Sequence, residues 1–257
     1  MEPVRTEEVG AWMQSEHLRL DQRGVVAFDA DGTIWSGDVA EDFVHDGLKD
    51  DWFHSAARAA LAFEIEGLGD TPPPTATACL AHLFHRYEQG RYPSLSMCET
   101  IAWACAGHTF DASYERAKEA LLRAGLNGRV RPEIRSLFHV AHTARIPIYV
   151  VSASPSFVVR AALDIAGLKV TDVLGVNSAL DAHGVLQPKP IRPIPHGDGK
   201  VIALRGIVGN APVYAAFGDN WLDAHLLREA GMAVAVAPKP KLVDVAHEIP
   251  GLRLLSP

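Results

Sequence analysis

Residues 24–33 read Gly-Val-Val-Ala-Phe-Asp-Ala-Asp-Gly-Thr (GVVAFDADGT). An unbroken apolar run that ends in carboxylates and a glycine suits a strand covered on both faces that opens onto a polar loop, as in parallel sheets. The pattern returns three times in the second half: PIYVV at 147–151 runs into Ser152, VYAAF at 213–217 into Gly218 and Asp219, and AVAVA at 233–237 into Pro238. Helical periodicity fills the intervals. Pro132 suits the first position of a helix carrying Ile134, Leu137, Phe138 and Ala141. Ser154 and Pro155 suit the cap and first turn of a helix that carries Phe157, Val158, Ala161, Ala162 and Ile165 and stops at Gly167. Further helices are expected over 200–208 and 221–230, the second stopped by Gly231. Strand alternates with helix, so the expected fold is α/β, a doubly wound Rossmann-like parallel sheet.

Between residues 37 and 128 the texture changes to helix after helix. Leu80, Leu83, Phe84 and Tyr87 form one apolar stripe, and Leu95, Cys98, Ala102 and Cys105 another. The TPPPT run at 71–75 divides the segment, and Asp111 suits the cap of a helix ending near Gly125. The expected organisation is a core domain of residues 1–36 and 129–257 with an inserted helical cap domain, 37–128.

The 257 residues hold 31 acidic and 24 basic side chains, a net charge of −7, and 48% are hydrophobic. That composition excludes disordered and fibrous classes and argues against nucleic-acid or basic membrane partners. The start, MEPVRTEEVG, lacks the basic and apolar regions of a secretory signal. No apolar run approaches the ~20 residues of a membrane span, so a cytoplasmic protein is expected; the oligomeric state is not legible. Cys79, Cys98 and Cys105 lack the paired spacing of a metal or redox site and read as packing residues, as the HxxH pairs His82/His85 and His139/His142 read as helix faces.

In open parallel sheets ligands bind beyond the carboxyl ends of the strands. Three such ends carry polar chemistry here: Asp29-Ala30-Asp31-Gly32-Thr33, Ser152-Ala153-Ser154, and Gly218-Asp219-Asn220 with Asp223 one turn on. Taken singly, each is also the composition of a turn or a helix cap. Converging carboxylates need a cation, and an all-oxygen set suits Mg²⁺. For a phosphate monoester a further cation is needed, and Lys200, opening a helix after HGDG, is the candidate, with Lys189 as runner-up. Ser152 and the Ala153 N–H suit phosphoryl oxygens, with Gly32 and Thr33 completing the phosphate-binding set.

FDADGT at 28–33, VVSAS at 150–154, Lys200 and FGDNWLD at 217–223 together resemble the four signatures of the haloacid dehalogenase-like hydrolase superfamily. The helical insert between the first two is similar to the phosphoserine phosphatase branch. The resemblance implies hydrolysis of a small-molecule phosphomonoester in two steps: Asp29 as nucleophile forming an aspartyl-phosphate, Asp31 as acid and then base, and Mg²⁺ held by Asp29, Asp31, Asp219, Asn220 and Asp223. Trp35 and Asp38, at the start of the insert, suit either the substrate pocket or interface packing and a solvated carboxylate; the resemblance places Asp38 where the branch has a glutamate that meets the substrate amine. Two positions depart from the branch: Glu99 falls where it has an arginine, and Leu222 where the fourth signature has Asn. They leave open a phosphotransferase on the same chemistry, or a non-catalytic binding protein.

Overall fold

The computed structural model describes residues 1–256. Eight strands form one sheet: β1 (Glu2–Arg5), β2 (Val25–Phe28), β3 (Ile148–Pro155), β4 (Asp172–Leu180), β5 (Leu186–Ile191), β6 (Val213–Gly218), β7 (Ala230–Ala235) and β8 (Arg253–Ser256). Their order is β1-β8-β7-β6-β2-β3-β4-β5, and every pair is parallel except β4 with β5. Strand β2 lies in the middle, where its four apolar residues are all buried. Its alternation divides them: Val26 and Phe28 face one hydrophobic core, Val25 and Ala27 the other.

The helices are α1 (Thr6–Arg19), α2 (Val39–Lys49), α3 (Arg58–Gly67), α4 (Ala76–Glu88), α5 (Ser94–Trp103), α6 (Phe110–Arg123), α7 (Pro132–Ala144), α8 (Ser156–Ala166), α9 (Gly199–Val208), α10 (Ala224–Arg228) and α11 (Pro240–Asp244). Helices α1, α7 and α8 bring Met13, Phe138 and Val158 to the Phe28 face, and α9 to α11 bring Leu204, Leu227 and Leu242 to the other. Phe28 stacks on Phe217 with ring centroids 4.2 Å apart and meets Phe138 at 4.9 Å. Such pairs contribute about 0.5–1.5 kcal/mol beyond their buried area.

Helices α2 to α6 all belong to residues 37–128, which contain no strand. The chain leaves and re-enters the sheet side by side: Ser36 N–H donates to the Arg129 carbonyl at 3.1 Å and Arg131 N–H to that of Ile34 at 3.0 Å. The helical segment shares its apolar core with the sheet, as where Phe43 of α2 meets Phe157 of α8 at 5.5 Å.

Several sequence expectations shift. Strand β3 runs on to Pro155, so Ser154 caps no helix and α8 starts at Ser156. The 221–230 helix is shorter, a 3₁₀ turn at Trp221–Asp223 and then α10, because Ala230 pairs with Val213 in the sheet; Gly231 lies inside β7 and stops no helix. Thr109, not Asp111, caps α6, its hydroxyl oxygen accepting from Ala112 N–H at 3.1 Å. The pairing of β1 with β8 at the two ends of the described chain had no sequence signal.

Candidate active site

The carboxyl ends of β2, β3 and β6 open together onto a cleft of about 370 Å³, closed on its other side by α2, α4 and α5. Asp29 leaves β2 still tied to the sheet, its N–H donating to the Phe217 carbonyl at 2.9 Å. One carboxylate oxygen, Oδ1, accepts from Lys200 Nζ at 2.6 Å and the other from the Thr33 hydroxyl at 2.8 Å. Asp31 is held differently: Oδ2 accepts from the Ser154 hydroxyl at 2.6 Å, and Oδ1 from the Trp35 indole N–H at 2.8 Å and Val39 N–H at 2.9 Å. Gly32 turns the chain just after Asp31 at φ +83°, and a Cβ there would stand 2.0 Å from Asp219 Oδ2. Only glycine fits.

At the end of β6, Asp223 is fully committed. Its Oδ2 accepts from the N–H groups of Asp219 (3.1 Å) and Asn220 (2.9 Å), and its Oδ1 from Lys200 Nζ at 2.5 Å. Lys200 thus bridges Asp29 and Asp223. Gly199 allows this, since a Cβ on it would strike the Ile194 carbonyl at 1.9 Å. Asp219 Oδ2 meets Lys239 Nζ at 2.8 Å, and the Lys239 N–H donates to the Asp219 carbonyl at 2.8 Å.

Asp29, Asp219 and Asp223 each present an oxygen within 4.8 Å of the others. Burial and the neighbouring Asp223 push the Asp29 carboxyl up to about 8, although Lys200 opposes the shift. Burial also raises Asp219, against the pull of Lys239. For Lys200, burial works against the ammonium, but Asp223 and Asp29 outweigh it and hold its pKa above the ordinary value. Four carboxylates therefore face two ammonium groups. An all-oxygen donor set short of positive charge fits a hard divalent cation.

Ser152 and Ala153 line the cleft. The Ser152 oxygen accepts from Ser154 N–H at 3.1 Å, which leaves its own O–H free to donate. Thr33 lies behind Asp29, fully buried, and acts on it alone. Asn220 and Leu222 are on the wall, the Asn220 oxygen taking Leu222 N–H at 3.4 Å. Asp38 is also on the wall and caps α2, Oδ1 accepting from the N–H groups of Ala40 and Glu41.

Trp35 is a correction. It is fully buried beneath the loop with its indole N–H spent on Asp31, so it positions that carboxylate and is not on the cleft wall. Glu99 faces away, paired with Arg192 at 2.8 Å, which removes its weight as a departure in the cleft. Lys189 is exposed on edge strand β5. Cys98 is on the cleft wall, where burial pushes its thiol up to about 12 and leaves it inert at neutral pH. The sequence reading missed Ser154, Lys239, Glu41, Tyr87 and His196 as site residues, all of which line the cleft. Only Ser154 had a signal: two residues beyond Ser152 on a strand, it faces the same way.

A family model described as haloacid dehalogenase-like hydrolase matches residues 26–228, from β2 through α10. The chain belongs to the haloacid dehalogenase-like hydrolase family. Asp29, Asp31, Ser152, Lys200, Asp219 and Asp223 lie inside the matched stretch, and Lys239 lies outside it. No curated protein matches this haloacid dehalogenase-like chain. Among solved structures, a protein of unknown function from Bordetella pertussis Tohama I is similar at 18% identity and a TM-score of 0.65, over 91% of this chain and 98% of that one. A probable phosphoserine phosphatase from Vibrio cholerae is 14% identical (TM-score 0.54, 86% and 58% covered). Cytosolic 5'-nucleotidase IIIB bound to cytidine is also 14% identical (TM-score 0.59, 94% and 83%). At these identities what is shared is the fold. Among the described residues no helix is long and apolar enough to cross a membrane.

Proposed function

We propose that the protein is a Mg²⁺-dependent phosphatase that hydrolyses a small-molecule phosphomonoester through an aspartyl-phosphate on Asp29, with residues 37–128 as its cap. One observation carries the reading: two carboxylates on one loop are held for different tasks. Asp29 sits on a lysine, with its neighbouring carboxylates Asp219 and Asp223, whereas Asp31 is turned to Ser154 and Trp35. A nucleophile that is ionised when the cation is bound and a second carboxylate that exchanges a proton with the leaving oxygen and with water need that separation.

Asp29 and Asp219, with support from Asp31 and Asn220, would hold Mg²⁺, which when bound neutralises phosphoryl charge and offsets the crowding of the carboxylates. Asp223 braces the site, because its oxygens are already taken by Lys200 and two backbone N–H groups. An Asp29 oxygen attacks phosphorus while Thr33 and Lys200 fix the carboxylate; the P–O ester bond breaks, and the leaving oxygen takes the proton carried by Asp31. Water then attacks the phosphoryl group, Asp31 takes its proton, and the bond from Asp29 to phosphorus breaks to release phosphate. The Ser152 O–H, the backbone by Gly32 and Ala153, and the Lys200 ammonium face the phosphoryl oxygens.

An aryl phosphate is expected to be hydrolysed with Mg²⁺ and not after chelation. An absence of metal-dependent turnover across a broad panel of phosphate esters would sink the proposal. Metal binding has a second readout. The folded Asp29 pKa of about 8 lies above its unfolded value of about 4. Its contribution to apo stability is therefore complete at low pH and is lost as pH rises through about 8. Because Mg²⁺ needs the carboxylate ionised, the rise in melting temperature it produces should be larger at about pH 9 than at about pH 6. Equal shifts at both pH values would argue against Asp29 as a ligand.

A further inference from the structure

The half of the cleft away from Asp29 has its own chemistry. Asp38 and Glu41, at the start of α2, face it together with Phe84 and Tyr87 of α4. Among the described residues neither carboxylate pairs with a lysine or arginine. Both carboxyls are raised from their ordinary values, Asp38 well above its own through burial and the nearby Asp31 charge and Glu41 mainly through burial. The Phe84 and Tyr87 rings, centroids 5.9 Å apart and tilted by 58°, form an angled wall and leave no slot between them for a flat base. Tyr87 lies close enough to Glu41 and Asp38 for their charges to raise its phenol, after burial.

The cationic side chains on the cleft wall are Lys200 and Lys239, and both are committed at the phosphoryl end, to Asp29 with Asp223 and to Asp219. The other basic group, His196, is 3.1 Å from the Ser94 hydroxyl, and burial and Lys200 hold its pKa down. Among the described residues no guanidinium faces the leaving-group half, and the ammonium nearest it, Lys239, is paired with Asp219 while Asp38 adds a further negative charge beside it, so a carboxylate placed there would meet Asp38 and Glu41 without an unpaired cation. An ammonium group would meet two carboxyl groups beside two aromatic rings, surroundings that favour alkylated cations.

Resting on the phosphatase reading above, we infer that the alcohol released by this enzyme carries an alkylammonium or quaternary ammonium group and no carboxylate, recognised by Asp38, Glu41, Phe84 and Tyr87. The substrate is then dipolar along the cleft, its phosphate at the Asp29 end and its cation against α2 and α4. A phosphorylated amino acid satisfies only half of that pattern.

The test compares kcat/KM for phosphoethanolamine, phosphocholine, propyl phosphate, O-phosphoserine, cytidine 5'-monophosphate and an aryl phosphate, all with Mg²⁺. The cationic esters are expected to exceed propyl phosphate by about tenfold or more, with O-phosphoserine below it. Glu41→Gln and Tyr87→Leu should each lower the ratio of cationic to propyl ester by several-fold to about tenfold. Because that ratio is taken within one preparation, loss of folded protein cancels from it. Turnover that favours propyl phosphate, O-phosphoserine or the nucleotide, or a ratio unmoved by both substitutions, overturns this inference and leaves the phosphatase reading standing. Failure to hydrolyse every ester, the aryl phosphate included, overturns both.

Discussion

Asp29→Asn abolishes phosphate release, with kcat/KM falling by at least about 10⁴-fold, because the substitution removes the nucleophilic oxygen while keeping the side chain's shape. The amide oxygen can still accept from Lys200 or from Thr33, which now reach Asp29 at 2.6 and 2.8 Å. Its neutrality also relieves repulsion with Asp219 and Asp223, the same crowding that lifts the Asp29 carboxyl to about 8. The Mg²⁺-free variant should therefore melt no lower than the parent above about pH 7. Phosphate-release kinetics alongside thermal melting checks both halves. Residual turnover near the parent level would remove Asp29 from the chemistry, and a large drop in melting temperature would show that the lost activity reflects unfolding.

Lys200→Met is expected to be severe in a different way. The methionine side chain is of similar length, but it leaves Asp29 and Asp223 buried without the ammonium that bridges them at 2.6 and 2.5 Å. Breaking a buried ion pair from one side costs about 3–5 kcal/mol, since the remaining charge stays out of water. Loss of one preorganised charge from the phosphoryl site should also cut kcat by about 10²–10³-fold. Denaturant unfolding of the parent, Lys200→Met, Asp29→Asn and the double variant tests the physical cause. The double variant should regain part of the stability lost in Lys200→Met, because one of the stranded carboxylates is gone. Strict additivity of the two substitutions would show that Lys200 and Asp29 are not energetically coupled.

The centre of the sheet was legible because burial on both faces writes itself as unbroken apolar sequence. VVAF, IYVV and VYAAF all became strands, and the polar residues after them reached one cleft. Helices with a hard stop or start were legible too: Pro132 opens α7, and Gly167, at φ +66°, ends α8. What the sequence obscured depends on partners far along the chain. Strands β1 and β8, four residues each, depend on distant partners: β8 pairs with β7, and β1 with β8. Ser154-Pro155 has the composition of a helix start, but β3 continues through it alongside β4 and delivers the Ser154 hydroxyl to Asp31.

Within the site, the limits follow the same rule. Of the four conspicuous elements, Asp29 and Asp219 follow strand ends, Lys200 is in the first turn of α9 and Ser152 is in the second half of β3, where local sequence carries the signal. Trp35 looked available for a substrate because nothing local says that its indole N–H is needed by Asp31. Lys239, twenty residues beyond Asp219, is placed by one backbone hydrogen bond to the Asp219 carbonyl, a contact with no periodicity to announce it. Glu99 misled for the converse reason, since α5 turns it away from the cleft and toward Arg192.

The central claim is a covalent phosphoryl group on one named oxygen-bearing side chain. Acid quenching of the Mg²⁺-loaded enzyme during turnover of an aryl phosphate, followed by borohydride reduction and peptide mass spectrometry, reads it directly. The account predicts that Asp29 alone is converted to homoserine, only when substrate is present, and that Asp31→Asn, which slows attack by water, increases the trapped fraction. Unmodified Asp29 under these conditions, or the modification on another carboxylate, would contradict it.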